Sequence, residues 1–151
     1  MTGQARSRLG LFIPVGAALL EVAAVNAVIF GLRLPGGVGG HRLIDPPGRL
    51  VGAVWTVLFI LFGLAFWRLA GRPGWYRWAL GLFMAFCLSY PLYTLGLSNV
   101  RIALGGNIAT LAFAIALVIS FWGKARTSAA LISPSIAWLS FATFATFEQL
   151  R

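Results

Sequence analysis

Few side chains in this sequence can do chemistry, and those that can are scattered. The acids are Glu21, Asp45 and Glu148; the one histidine is His41 and the one cysteine is Cys87. No group of His, Cys, Asp and Glu has metal-ligand spacing, no catalytic triad can be drawn, and no glycine motif has the form that cradles a phosphate. His41 sits in a glycine-rich stretch and reads as an interfacial polar residue. Cys87 lies inside an apolar run and, being alone, forms no intramolecular disulfide. The signatures of soluble enzymes are therefore missing.

Three residues remain. Glu21 stands near the middle of the apolar run 9–32. A charge at the centre of a bilayer costs at least about 2.5 kcal/mol on insertion scales, so an intramembrane acid is a functional candidate by default. The plainer reading is a neutral acid bonded to Asn26 or to a backbone carbonyl. Trp55 and Trp138 are the other two. Trp67, Trp75, Trp78 and Trp122 fall at the ends of apolar runs, where the aromatic belt at the headgroups accounts for them. Trp138 is near the centre of its run and Trp55 is more than a turn inside its own. A mid-membrane indole keeps an N–H that needs a partner, which points to the bundle interior or to a ligand pocket.

What must position these residues is legible from where charge is missing. The runs 50–67, 78–100, 102–123 and 127–147 contain no Asp, Glu, Lys or Arg, and each reaches the roughly 18 residues needed to span. The run 9–32 carries Glu21 alone and is longer than the apolar part of a signal peptide. Backbone groups must pair internally in hydrocarbon, and uninterrupted apolar runs select helices over barrel strands. The expected fold is an all-α membrane protein: a single domain, a five-transmembrane-helix bundle with spans near 9–32, 50–69, 78–97, 102–122 and 128–148. Its localisation is integral and multi-pass, with the lipid bilayer as its first partner.

The net charge of +9 does not imply nucleic acid, because the 12 basic residues sit almost entirely at the ends of the apolar runs, at headgroup depth. Arg6, Arg8, Arg68, Arg72, Arg77, Lys124 and Arg126 fall on one side, against Arg33, Arg42, Arg49, Arg101 and Arg151 on the other, which favours a cytoplasmic N-terminus. Pro91 and Pro134 lie inside spans and are expected to kink them. Small residues four apart, Gly48 and Gly52, Gly81 and Ala85, Gly105 and Ala109, are candidates for close helix approach.

Aromatic residues recur at helical spacing. Trp55, Phe59, Phe62 and Phe66 follow one face of the second helix, and Phe83, Phe86, Tyr90 and Tyr93 one face of the third, with Trp138 and Phe141 on the fifth. Such stripes enclose a flat apolar ligand or simply pack, and periodicity does not separate the two.

At this point the residues resemble a family. Pro46-Pro47-Gly48, then Val54-Trp55-Thr56-Val57-Leu58-Phe59 and Gly63-Leu64-Ala65-Phe66-Trp67, are similar to the second-helix signature of the TspO/MBR family. Pro134 followed by Trp138-Leu139-Ser140-Phe141-Ala142-Thr143-Phe144 resembles its fifth-helix signature. The resemblance implies a homodimeric five-helix membrane protein that binds porphyrins, sterols or similar hydrophobic small molecules and acts as a sensor, carrier or regulator. It implies that Trp55 and Trp138 wall the pocket, with Phe59, Phe141, Ala142 and Ala145 beside them; Phe62, Cys87, Tyr90, Thr146 and Glu21 complete the set of expected ligand contacts. No cofactor or metal is required; a tetrapyrrole, protoporphyrin IX or haem, would be the ligand.

The sequence also departs from the family pattern. The stretch 35–44 has no aromatic residue where the family carries tryptophans, and Arg49 replaces the tryptophan after the prolines. Cys87 and Tyr90 stand where the third helix usually has Asn and Trp, and Thr146 replaces a late asparagine. Two alternatives follow: light-dependent porphyrin breakdown, and a structural or regulatory role in photopigment or carotenoid metabolism with a degenerate pocket.

Overall fold

A computed structural model describes residues 9–31, 48–91 and 99–150, and every regular element among them is helical. The helices are α1 (Leu9–Gly31), α2 (Gly48–Arg68), α3 (Gly74–Leu88), α4 (Val100–Trp122), α5 (Arg126–Ile132) and α6 (Pro134–Glu148). α2, α4 and the stretch Arg126–Glu148 that joins α5 to α6 are long and apolar enough to cross a bilayer. With α1 and α3 they form an all-α, five-helix membrane bundle, and the chain is an integral multi-pass membrane protein. His41, Tyr93 and the altered stretch 35–44 lie outside the described residues.

Local chemistry sets the helix ends. Gly71 has a φ of +86°, a left-handed conformation that glycine adopts without strain, and it turns the chain between α2 and α3. Pro73 then precedes α3, which begins at Gly74, a turn earlier than the charge pattern places it. Asn99 caps α4, its side-chain oxygen accepting from the backbone N–H groups of Arg101 at 3.0 Å and Ile102 at 3.3 Å.

The fifth span is broken at Ser133. Pro134 has no N–H, so the Ala130 carbonyl loses its helical donor. Ser133 Oγ donates to that carbonyl at 2.9 Å, and the buried Ser135 Oγ donates to Ile132 O at 2.7 Å. In hydrocarbon such replacement bonds make a proline break tolerable.

The core lies among α2, α3, α4 and α5, where Phe62, Leu69, Leu80, Phe83, Phe121 and Ile132 are fully buried. Ser128 Oγ on α5 donates to Ala65 O on α2 at 3.2 Å and fixes the level at which those two helices meet. α1 lies along α2, and their closest crossing is at Gly63, where a Cβ would stand 2.9 Å from Pro14 O and 3.0 Å from Val15 Cα. The small-residue pairs singled out from spacing behave differently. A Cβ on Gly52, Gly81 or Gly105 would meet nothing within 4 Å, so in the single chain these glycines are not contact points. Spacing alone does not say which face of a helix meets a neighbour.

Arg68, Arg72, Arg77, Lys124 and Arg126 are exposed at one end of the bundle, whereas Arg49 and Arg101 are the exposed cations described at the other. On the positive-inside rule the first end is the one expected on the cytoplasmic side. With an odd number of spans the termini fall on opposite sides. Reporter fusions at Thr2 and Arg151 are expected to show opposite accessibility, with Thr2 cytoplasmic; matching accessibility would remove the five-span topology.

Candidate functional site

The second and fifth spans run antiparallel from the Ser128–Ala65 bond. Trp55 lies ten residues before Ala65 and Trp138 ten residues after Ser128, so each indole stands about 15 Å along the bundle from that bond. The two tryptophans are therefore level. The helices that carry them are not held together at this height. α2 packs along α5 but has no comparable contact with α6, which packs on α4. Trp55 and Trp138 are both half-buried and both pack against the core.

Around Trp55 the aromatic stripe continues without a gap. Its ring centroid is 5.6 Å from that of Tyr90 and 6.1 Å from that of Phe59; Phe59 is 5.6 Å from Phe62, and Phe62 meets Phe83 edge-on at 5.4 Å. Tilted and edge-on contacts of this kind suit the ring quadrupoles. Only the upper part of the ladder keeps any exposed surface. Phe59, Phe62 and Cys87 are closed into the core, where they pack between helices. Phe66 is capped by the Arg77 guanidinium at 4.4 Å from its ring, near the charged end.

Across from this ladder, Trp138 stands 5.5 Å from Phe141, which is partly exposed on the outer side of α6. Ser128, Leu131, Ser135, Trp138, Ala142 and Ala145 recur at three- and four-residue spacing, continuing toward Trp138 the face by which α5 meets α2. The Nε1 atom of Trp138 is buried without a hydrogen-bond partner among the described residues.

Glu21 occupies the same layer. It lies seven residues after Pro14, and on the antiparallel α2 seven residues before Gly63 is Thr56, next to Trp55. Ala18 and Val22 on the same face of α1 pack into the core, and Glu21 Oε2 is buried without a described partner. The bond to Asn26 anticipated from sequence is not made: Asn26 Nδ2 donates to Val22 O in its own helix at 2.9 Å. An amide five residues from the acid is turned to a different part of the helix, and its own backbone offers the nearer acceptor.

Asn107 of α4 was not singled out from sequence. It is fully buried and binds α6, donating to Ala142 O at 3.3 Å and to Thr146 Oγ1 at 2.9 Å, while Thr146 Oγ1 donates to Ala142 O at 2.8 Å. This clamp ties two residues anticipated as ligand contacts, Ala142 and Thr146, to a helix that supplied none. An asparagine in a charge-free run was the available signal.

The interfacial tryptophans divide. Trp78 and Trp122 are exposed, as belt residues should be. Trp75 is as exposed as Trp122, but its ring stacks on the buried Tyr76 at 3.8 Å and meets Phe121 edge-on at 5.8 Å. It is part of the packing as well as the belt.

With this geometry in place, comparison with known proteins adds the lineage. The chain is 28% identical over 114 residues to the tryptophan-rich protein TspO of Chlorobaculum tepidum, an alignment covering 71% of this chain and 72% of the relative. The profile of the TspO/MBR family matches residues 43–151, which takes in every described helix after α1, and the chain belongs to that family.

Proposed function

We propose that this protein binds a flat hydrophobic ligand, a tetrapyrrole such as protoporphyrin IX in preference to a sterol, between the first half of α2 and α6, and acts as its sensor or carrier. The observation that carries this reading is the pair of level tryptophans on helices that separate at their height. Two indoles at one depth, on helices that do not pack on each other, would offer stacking area to a planar molecule and their N–H groups a polar edge. Tyr90 extends the aromatic wall on the α2 side. Pairing of two copies, as the family resemblance implies, belongs to the same proposal.

Detergent-purified protein titrated with protoporphyrin IX is expected to show saturable tryptophan quenching together with a shift of the porphyrin Soret band. Quenching that rises linearly without saturation would count against the pocket and favour a structural role. Illumination of the complex separates binding from breakdown, since only an enzyme would yield a new absorbing product that depends on light and on the protein.

A further inference from the structure

The clamp between α4 and α6 leaves one atom over. Asn107 Nδ2 donates to both Ala142 O and Thr146 Oγ1, and the hydroxyl of Thr146 is itself directed to Ala142 O. This settles the orientation of the amide. Turning it over would set Oδ1 against the Ala142 carbonyl and leave a single bond, from the Thr146 hydroxyl, in place of three. Asn107 Oδ1 is thereby pointed away from the Ala142–Thr146 step, inside a side chain that is 0% exposed, and it has no partner among the described residues. A buried carbonyl oxygen without a donor costs as much as a lost hydrogen bond, more so where lipid surrounds the bundle. One turn along α6 from Ala142, Trp138 Nε1 is a buried donor without an acceptor among the described residues. The two unpartnered atoms have opposite sense and belong to the same pair of helices.

We infer that Asn107 is a specificity-determining residue: its Oδ1 accepts a hydrogen bond from an O–H or N–H on the edge of the planar ligand, while Trp138 Nε1 donates to that edge. This rests on the pocket reading above and narrows it. The ligand class becomes planar apolar molecules carrying a hydroxyl, amide or pyrrole-type N–H, as opposed to bare aromatic hydrocarbons or ring systems with acceptors alone. A hydroxyl satisfies both protein atoms at once, donating to one and accepting from the other.

The test compares two near-isosteric fluorescent probes, 1-pyrenemethanol and 1-ethylpyrene, followed by energy transfer from tryptophan in the intact detergent-solubilised protein. The wild type is expected to hold the alcohol about tenfold more tightly. Asn107→Leu is expected to bring the two affinities together while leaving that for 1-ethylpyrene within about twofold. Trp138→Phe should lose part of the preference. Should the leucine variant fail to fold, the wild-type preference and its loss in Asn107→Ser, which keeps a small polar group too short to reach the same point, carry the test. Equal affinities in the wild type, or an unchanged preference in a folded Asn107 variant, would overturn the assignment. Saturable protoporphyrin IX binding without any alcohol preference would overturn this inference alone, whereas absence of binding by porphyrin and both pyrenes would remove the pocket as well.

Discussion

Replacing Trp138 by alanine is expected to weaken protoporphyrin IX binding by about 1–3 kcal/mol, roughly 5- to 150-fold, and Trp55→Ala to do the same. Each indole stands about 15 Å along the bundle from the Ser128–Ala65 bond, so the two lie at one depth. Trp→Phe keeps part of the stacking area and removes the N–H, and a smaller loss is expected. Trp78 and Trp122 are the appropriate controls, being exposed at the headgroup level, whereas Trp75 is not, because its ring also supports Tyr76 and Phe121. Thermal stability in detergent has to be followed alongside, since removing a packed indole loosens its neighbours. Equal losses at inner and interfacial tryptophans would sink the pocket assignment.

Gly63→Leu is expected to give the largest loss of stability, about 3 kcal/mol or more, seen as a lower midpoint of thermal or detergent denaturation. A first carbon on Gly63 would already approach Pro14 O to 2.9 Å, and the three atoms it meets, Pro14 O, Pro14 C and Val15 Cα, belong to the α1 backbone, which cannot swing aside as a side chain can. Alanine should be milder, because about 1 kcal/mol of helix propensity offsets part of the clash. Gly105→Leu is the matched control, with nothing within 4 Å of its Cβ position. A Gly63→Leu protein as stable as that control would mean that α1 does not cross α2 at this point.

The contrast between these glycines shows what the sequence could reveal. Charge-free runs identify helices because the bilayer sets one demand on every residue of a span, and that demand is readable one residue at a time. Trp55 and Trp138 were legible for the same reason, as indoles too deep for the belt. Gly63 and Asn107 were not, because their roles belong to pairs: Gly63 matters through Pro14, and Asn107 through a threonine 39 positions away. The four-residue rule for small residues is a rule about one helix, and it favoured Gly105, whose face is open. Phe59 and Phe62 illustrate the complementary limit. Their stripe was correctly placed on one face, yet the lower half of that face is closed core and only Trp55 and Tyr90 above it keep exposed surface.

The outward faces of α4 and α6 bear Ile108, Ile119, Phe144 and Phe147, and Phe141 is exposed beside Trp138. Such a surface faces acyl chains, so the reservoir from which the proposed ligand would reach Trp138 is the bilayer itself. Moving an apolar ring from one hydrocarbon environment to another gains almost nothing from the hydrophobic effect, which dominates recognition in water. Partitioning into the membrane concentrates every lipophilic compound alike, and discrimination among them falls to shape and to the few polar atoms the helices leave unsatisfied. For a protein built this way, an affinity has meaning only as a mole fraction in the surrounding lipid or detergent.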